Sequence, residues 1–192
     1  MEYITKAFED RVEHYLNGKL NDIIINGKVV PAIEYDNGDR HYYKYGKHHR
    51  DDDPALGPMP AVELANGDKE YYKDGKLHRD NDPELGPMPA VECTNGDREY
   101  YKGGELHRDD DPELGPMPAV EYINGYKCYC KNGKRHRDDD PVLGPMPAIE
   151  YANGDKAYYK NGIQFTPPTP NQHKLKLIKM RDELDLIIKS LD

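Results

Sequence analysis

The sequence predicts an all-β protein: an elongated single-sheet antiparallel β-hairpin repeat array, a meander, with a C-terminal α-helix. Three observations predict this fold. A string that begins Pro-Ala-Val/Ile-Glu recurs every 29 residues from Pro31 to Pro147, which is typical of a repeat architecture. Each copy contains Asn-Gly between short segments with strand propensity, which indicates a hairpin. After residue 170, apolar residues step by three and four, which indicates a helix.

Composition narrows the fold class further. The chain of 192 residues has a net charge of -9 and only 34 Leu, Ile, Val and Phe residues, a composition typical of disordered chains. However, 16 of the aromatic residues are Tyr and only 2 are Phe. Because Tyr combines a large apolar ring with a polar hydroxyl, it suits a thin core that is partly in contact with water. The composition therefore favours a repeat array over a two-layer globule.

Charge and cysteine content exclude several classes of function. An acidic chain is a poor candidate for binding nucleic acid. The sequence shows neither a signal-peptide pattern nor an apolar stretch long enough to span a membrane. Three Cys residues are too few for a secreted disulfide framework and favour a reducing compartment. We therefore expect a cytoplasmic protein with no nucleic-acid partner, no membrane span and no cofactor.

The repeats divide the chain into segments. Residues 1–30 are interpreted as a degenerate N-terminal capping repeat, because His14–Leu20 matches Tyr71–Leu77 but arrives one residue out of phase. A Pro-rich linker, residues 166–170, and an amphipathic C-terminal helix, residues 171–192, follow the array. The five tandem repeats are residues 31–59, 60–88, 89–117, 118–146 and, as a partial copy, 147–165.

Each copy is expected to contribute one hairpin to the sheet. In the second copy, a two-residue type I′ turn at Asn66-Gly67 would pair Val62 with Tyr71. Identical copies occupy equivalent sites only if each adds an even number of strands, so we predict two strands per copy and at most a short extension at Lys76–Arg79. Side-chain alternation then places Val62, Leu64 and Tyr71 on one face and Ala61, Glu63, Glu70 and Tyr72 on the other.

The second turn of each copy resembles a known repeat. Glu70–His78, with the sequence Glu-Tyr-Tyr-Lys-Asp-Gly-Lys-Leu-His, is similar to the MORN repeat in its aromatic, turn and Lys-x-His positions, and Val91–Gly96 is similar in its strand and Asn-Gly turn. The resemblance covers residues 31–165 and implies hairpins repeated along one elongated sheet. The chain also looks like the tandem arrays of such variants that giant amoebal DNA viruses encode, which implies the host cytoplasm as its location.

The string His-Arg-Asp occurs in four copies, as at His78-Arg79-Asp80, and it also occurs in the catalytic loop of protein kinases. The other kinase motifs do not accompany it, and four copies at a fixed spacing indicate a structural role. We therefore predict no catalytic residue and no enzyme activity. Arg79 is expected to neutralise the neighbouring aspartates or to pair with Glu63 and Glu70.

The acidic residues after each His allow two interpretations. Asp before Pro commonly accepts backbone N–H groups in turns, whereas closely spaced carboxylates are the ligands that Ca²⁺ prefers. We favour turn formation and keep a weak divalent-metal site as the alternative. Its candidate ligands are Asp51, Asp53, Asp80, Asp82, Asp109, Asp111, Asp138 and Asp140.

Apolar side chains follow the acidic residues in each copy. Proline stiffens the segment Leu85–Pro89, and we expect Leu85 and Met88 to pack over Tyr71 or Tyr72 of an adjacent hairpin. A groove for partner peptides is the alternative.

Two of the three Cys residues interrupt the repeat pattern. Cys128 and Cys130 occupy the positions of Glu70 and Tyr72 in the fourth copy. A two-residue spacing along one strand suits neither a zinc knuckle nor an easy disulfide. We interpret both residues as simple substitutions.

The C-terminal helix is expected to begin at Asn171, which suits an N-cap. Its apolar stripe would be buried in one of two ways: the helix folds back over the last edge of the sheet, or it mediates self-association. The stripe consists of Leu177, Met180, Leu184, Ile187 and Leu191.

Together, these patterns predict a non-enzymatic repeat scaffold for protein–protein interaction or self-assembly. The expected partner is another protein or a second copy of the chain. The alternative function is a calcium-binding module that uses the repeated Asp residues. The candidate interaction residues are Tyr71, Tyr72, Tyr100, Tyr101, Leu177, Met180, Leu184, Ile187 and Leu191.

Overall fold

A computed structural model describes residues 2–54, 56–82, 85–141 and 143–189 of the chain, with the backbone alone at 170, 173, 176, 185 and 189. Within these ranges the chain forms short β-strands followed by one helix. In chain order, the elements are β1 (Tyr3–Ala7), β2 (Arg11–Leu16), β3 (Lys19–Leu20), β4 (Ile23–Ile25), β5 (Lys28–Val30), β6 (Ile33–Tyr35), β7 (Arg40–His41), β8 (Tyr43–Lys44), β9 (Lys47–His48), β10 (Val62–Glu63), β11 (Lys69–Glu70), β12 (Tyr72–Lys73), β13 (Lys76–Leu77), β14 (Val91–Glu92), β15 (Arg98–Glu99), β16 (Tyr101–Lys102), β17 (Glu105–Leu106), β18 (Val120–Glu121), β19 (Lys127–Cys128), β20 (Cys130–Lys131), β21 (Lys134–Arg135), β22 (Ile149–Glu150), β23 (Lys156–Lys160), β24 (Ile163–Phe165) and α1 (Pro170–Lys189).

The main sheet is an antiparallel meander of 14 strands. Its order is β1-β2-β6-β7-β10-β11-β14-β15-β18-β19-β22-β23-β24, with β3 paired to β2. Each full repeat contributes two strands, for example β10 and β11 from the second repeat, so strand direction is the same in every copy. The predicted fold class, an all-β hairpin array with a C-terminal helix, is confirmed.

The turn between the two strands of a repeat differs from the predicted one. Pairing crosses Asn66-Gly67 and its four equivalents as expected, but Val62 lies opposite Glu70 rather than Tyr71. Gly67 has a φ of 91° and its N–H donates to the carbonyl of Leu64 (2.8 Å). The turn is therefore a three-residue loop, a type I turn followed by a left-handed Gly.

The side chain of the turn Asn explains this geometry. Asn66 Oδ1 accepts the backbone N–H of Asp68 (3.0 Å), and Asn66 Nδ2 donates to the Asp68 carboxylate (2.9 Å). This local bonding keeps the Asn backbone out of the left-handed region that a type I′ turn requires. Only Gly67 then supplies a positive φ, and the loop lengthens by one residue.

The one-residue shift changes which side chains share a face. Directly paired residues lie on the same face of a sheet, so Val62 lies on the same side as Glu70. Tyr72 joins them, because its hydroxyl donates to Glu70 Oε2 (2.9 Å). The prediction that grouped Val62 with Tyr71 was therefore wrong, since it assumed the shorter turn.

A second hairpin follows the first within each of repeats one to four. The strand breaks at Tyr71, and β12 then pairs with β13 in a separate two-stranded sheet. Lys76-Leu77, expected at most as an extension of the connection, is thus a true strand. Gly75 N–H donates to the carbonyl of His48 in the preceding repeat (2.8 Å), and the other second hairpins are linked in the same way. The second hairpins therefore form a column beside the main sheet.

The core of the array is thin and repeats with the sequence. The Ala of each repeat has no exposed surface, as at Ala61 and Ala90, and the first Tyr of each pair is buried beside it in repeats one to four. The largest fully buried side chain is Ile149. Because a small Ala faces a large Tyr, close packing is reached within a single sheet.

The helix α1 begins one residue earlier than predicted. Thr169 N–H donates to Gln172 Oε1 (2.8 Å), and Gln172 N–H donates to Thr169 Oγ1 (3.4 Å). This is a capping box with Pro170 at the first helical position, so Thr169 rather than Asn171 is the N-cap. Among the described residues, no helix combines the length and apolar character needed to cross a bilayer.

Candidate interaction surface

The His of the repeated His-Arg-Asp string links neighbouring repeats. His78 Nδ1 accepts the backbone N–H of Gly103 in the next repeat (3.0 Å), and His78 Nε2 lies 2.9 Å from Asp80 Oδ1. Because a backbone N–H can only donate, the ring proton is on Nε2 and points at the carboxylate. His49, His107 and His136 make the same two contacts. The His of each string thus connects its own repeat to the second hairpin of the next repeat.

The first Asp of each string is held by a Lys and the His of its own repeat. Asp80 lies 2.7 Å from Lys73 Nζ as well as next to His78. The hydrogen bonds from Lys73 and His78 lower the pKa of Asp80, and equivalent contacts lower the pKa of Asp51, Asp109 and Asp138. These carboxylates therefore have protein partners within the array.

The second Asp closes the acidic loop. The backbones of Asp82 and Gly86 exchange two hydrogen bonds (2.9 Å each), and Asp82 Oδ1 accepts the N–H of Leu85 (2.8 Å). Equivalent bonds involve Asp53, Asp111 and Asp140. In the described parts of the chain, no group of three or more His, Cys, Asp or Glu side chains is arranged to hold a metal ion. The geometry favours turn formation for these residues.

The first Tyr of each pair lies beneath an Arg. The Arg79 guanidinium is 3.8 Å from the ring centroid of Tyr71, and its Nη1 donates to Glu92 Oε1 of the next repeat (2.8 Å). The Glu63 carboxylate, suggested as a partner of Arg79, pairs with Arg50 instead. Tyr71 and its equivalent Tyr100 are buried, so the prediction that they present an interaction surface was wrong: after the register shift they face the core.

The second Tyr of each pair is half-buried. Tyr72 donates to Glu70 and Tyr101 to Glu99, each at 2.9 Å. Burial, with the neighbouring Glu, raises the pKa of both phenols. These two rings retain partial access to solvent, whereas their hydroxyls are engaged within the sheet.

The tips of the acidic loops carry an exposed leucine in each full repeat. The leucines are Leu56, Leu85, Leu114 and Leu143, and their exposed fractions lie between 70% and 76%. Leu85 therefore does not pack over Tyr71 or Tyr72 as predicted, because the Asp82–Gly86 bonds turn the loop outward. The sequence signal for this row is the strict recurrence of Leu-Gly-Pro-Met.

The helix also exposes its apolar stripe. Leu177 is 41% exposed, and Met180, Leu184 and Ile187 are 55–57% exposed. The helix therefore does not cover the last edge of the sheet with these residues, and the first of the two predicted ways of burying the stripe is wrong. Burial by self-association stays a prediction. Leu191 lies outside the described residues.

A cleft between the N-terminal segment and the first repeat was not predicted from the sequence. Its volume is about 740 Å³, and its lining includes Tyr3, Ile24 and Asp22. Burial raises the pKa of Asp22 to about 7, although its Oδ1 accepts the backbone N–H of Ala32 and of Tyr43 (2.9 and 2.8 Å). Asp22 stands where the repeats carry the stacked Arg, as the alignment of Tyr15–Leu20 with Tyr72–Leu77 shows.

The chain was compared with protein-family models, curated proteins and solved structures. No protein-family model, curated protein or solved structure matches the chain.

Proposed function

We propose that this chain is a non-enzymatic repeat scaffold, of MORN-like type, that associates with a second copy of itself through α1. The observation that carries the proposal is the exposed stripe of Leu177, Met180, Leu184 and Ile187 on a helix of 20 residues. An isolated helix of this length is marginal in water and gains most of its stability by burying an apolar face. The spacing of three, four and three residues matches the seam of a helix pair.

Charge along the helix favours a second copy in antiparallel orientation. The charged residues in the first part of α1 are all Lys, as at Lys174 and Lys179, whereas the second part carries three acidic residues against Arg181 and Lys189 and is acidic on balance. In an antiparallel pair, the basic part of one helix lies beside the acidic part of the other. The two helix dipoles are then also opposed, which is favourable.

The chemistry of the array supports a scaffold more than an enzyme. The residues that resemble catalytic groups, such as His78 and Asp80, bond to each other and to neighbouring repeats, and the pattern is the same in four copies. The exposed leucines at the loop tips recur once per repeat. A surface with one apolar anchor per repeat is suited to an extended protein partner.

The mass of the protein in solution tests the proposal. Sedimentation or light scattering of the full chain should show a dimer that becomes monomeric when the chain is cut after Thr169 and when Leu184 is changed to Asp. Leu184→Asp should weaken association by roughly tenfold or more. The matched control is Leu186→Asp, because Leu186 is equally exposed but lies on the opposite face of the helix. A full chain that remains monomeric at about 100 μM would refute self-association.

Salt tests the orientation. An antiparallel pair places opposite charges together, so its dissociation constant should rise with ionic strength. A parallel pair would place like charges together and would become tighter as salt is added. The second result would overturn the antiparallel arrangement while leaving self-association intact.

A further inference from the structure

The fourth repeat differs from its neighbours at a group of positions that touch each other in space. Where the second repeat has Asp68, Glu70, Tyr72 and Leu77, the fourth has Tyr126, Cys128, Cys130 and Arg135. Cys128 and Cys130 belong to a buried cluster with Ala119, Val120 and Ile149, and the Tyr126 ring packs against it. The four changes therefore create one chemically distinct site within an otherwise regular array.

The two sulfur atoms replace an interaction that the second and third repeats make between the same two positions. In the second repeat the Tyr72 hydroxyl donates to the Glu70 carboxylate. In the fourth, Cys128 Sγ and Cys130 Sγ lie 3.4 Å apart as a hydrogen-bonded pair. Alternation along the strand predicts that these positions share a face, but the interpretation as simple substitutions did not include the short distance between the two sulfur atoms.

The surroundings of the pair distinguish the two thiols. The hydrogen bond between the two sulfur atoms, with further interactions of Tyr126 and Arg135 with Cys128, lowers the pKa of Cys128, and the bond to Cys128 raises the pKa of Cys130. A thiolate next to a protonated thiol is the arrangement required for attack followed by resolution. Cys128 and Cys130 are themselves buried, but Arg135 is exposed and Tyr126 is half-buried. A long surface side chain therefore separates the sulfur atoms from solvent.

We propose that Cys128 and Cys130 form a peroxide-sensitive dithiol that closes to an intramolecular disulfide. The Cys128 thiolate attacks one oxygen of a hydroperoxide, the O–O bond breaks, and Cys128 becomes a sulfenic acid while hydroxide, or an alkoxide, leaves. The Cys130 sulfur then attacks the Cys128 sulfur, an S–S bond forms, and water leaves with the Cys130 proton. Two thiols are oxidised and one peroxide is reduced, and a small thiol reverses the change.

The position of the pair makes this disulfide reversible rather than structural. Only Tyr129 separates the end of β19 from the start of β20, and residues two apart in an extended chain are roughly 6.5 Å apart at their Cα atoms. This distance is near the upper limit for a disulfide. The loop that it closes is too short to constrain the unfolded chain substantially. Closing the bond draws in the backbone at Tyr129, where β19 of the main sheet passes into β20 of the second hairpin. Oxidation thus alters the junction of the two sheets in one repeat.

Peptide mapping of the full-length chain after peroxide treatment tests the proposal. Hydrogen peroxide should produce a peptide that contains both cysteines and is lighter by the two thiol hydrogens, and dithiothreitol should restore its mass. Cys93 is an internal control, because it is half-buried and burial raises the pKa of its thiol. It should react more slowly than Cys128. The proposal would be overturned if Cys93 were oxidised before Cys128. It would also be overturned if Cys128 and Cys130 had formed no disulfide by the time Cys93 had reacted.

Two variants separate the roles within the site. Cys130→Ser should leave Cys128 as a sulfenic acid that dimedone labels, because the resolving thiol is gone. Arg135→Leu, which restores the residue of the second repeat, should slow the reaction of Cys128 by on the order of tenfold because less thiolate is present. An unchanged rate in Arg135→Leu, or a failure of dimedone to label Cys130→Ser, would contradict the assigned order of attack.

Discussion

The Arg79 guanidinium stacks on the Tyr71 ring of its own repeat, 3.8 Å from the ring centroid. Its Nη1 also reaches into the next repeat, where it contacts Glu92 Oε1 (2.8 Å) and the carbonyl of Pro89 (3.3 Å). The same arrangement recurs at Arg50, Arg108 and Arg137. Each Arg therefore couples a core Tyr to the following repeat, and the stability of the array depends on such contacts between neighbours.

Arg108→Lys should destabilise the array. Lys lacks the planar guanidinium that stacks on Tyr100 and that holds the two Nη1 hydrogen bonds, to the Pro118 carbonyl and to Glu121, in fixed directions. We expect the free energy of unfolding to fall by about 1–2 kcal/mol in chemical denaturation. Arg98→Lys is the matched control, because Arg98 is exposed, and its effect should be within about 0.5 kcal/mol. Equal effects of the two variants would show that the stacked contact contributes nothing.

Asp82→Ala should lower stability by about 0.5–2 kcal/mol through loss of the bond from the Leu85 N–H. Asp82→Asn keeps an acceptor oxygen at the same place and should retain most of the stability. Neither melting temperature should respond to micromolar calcium. If the wild-type chain is strongly stabilised by calcium and both variants lose that response, the loop is a metal site, because the amide and the methyl group both remove the charge that calcium needs.

Sequence alone was sufficient for the large-scale architecture. The 29-residue period and the parity of strands in each copy required two main-sheet strands per repeat, and β10 with β11 are those strands. What the period could not supply was the register, because the turn type depends on bonds between Asn66 and Asp68 that lengthen the loop by one residue. This shift of one residue places Tyr71 on the face opposite Val62, whereas the predicted turn placed both on the same face.

The candidate site was predictable in part. The stripe on α1 and the turn role of Asp82 followed from spacing and residue type. The exposure of Leu85 did not, because the same Leu-Gly-Pro-Met string suits a core staple and a protruding loop, and only the backbone bonds between Asp82 and Gly86 decide between them. The contact of Cys128 with Cys130 required knowing that both side chains lie on one face at van der Waals distance.

Gly67→Ala should be more harmful than Gly125→Ala. Both glycines occupy the same position in their repeats, with φ of 91° and 93°, so Ala incurs a left-handed backbone cost of roughly 1–2 kcal/mol at each. A Cβ at residue 67 would also approach Thr94 Cγ2 to 2.9 Å, whereas nothing lies within 4 Å at residue 125.

Thr94 has little freedom to relieve that contact. Its N–H and its hydroxyl both donate to Asp68 Oδ1 (2.7 and 3.0 Å), which fixes its side-chain rotamer. We expect an additional loss of roughly 1 kcal/mol in Gly67→Ala. Thermal or chemical unfolding of the two variants gives this difference directly, and equal losses would mean that the loop of the third repeat moves aside.

Asp22→Asn should stabilise the protein most above neutral pH and by about half as much at pH 5.5. Burial raises the pKa of Asp22 to about 7 in the folded chain, with Arg50 opposing the shift and Asp51 adding to it, whereas an unfolded Asp has a pKa of about 3.9. Between these values the unfolded chain is ionised at Asp22 while the folded chain retains the proton. The contribution of this group to the free energy of unfolding therefore falls as pH rises through that window and levels off above about pH 7.

The Asn variant removes this pH dependence while its Oδ1 can still accept the N–H groups of Ala32 and Tyr43. At pH 8 we expect Asp22→Asn to exceed the wild type by on the order of 1–2 kcal/mol, reduced by solvent screening. His14, His41 and His48, whose pKa values are lowered by burial, titrate in both proteins and cancel in the difference. Both pH values, 5.5 and 8, lie above the ordinary pKa values of Asp and Glu, so the other carboxylates stay ionised in both measurements. A variant that is no more stable than the wild type at pH 8 would show that Asp22 is ionised in the folded protein without cost.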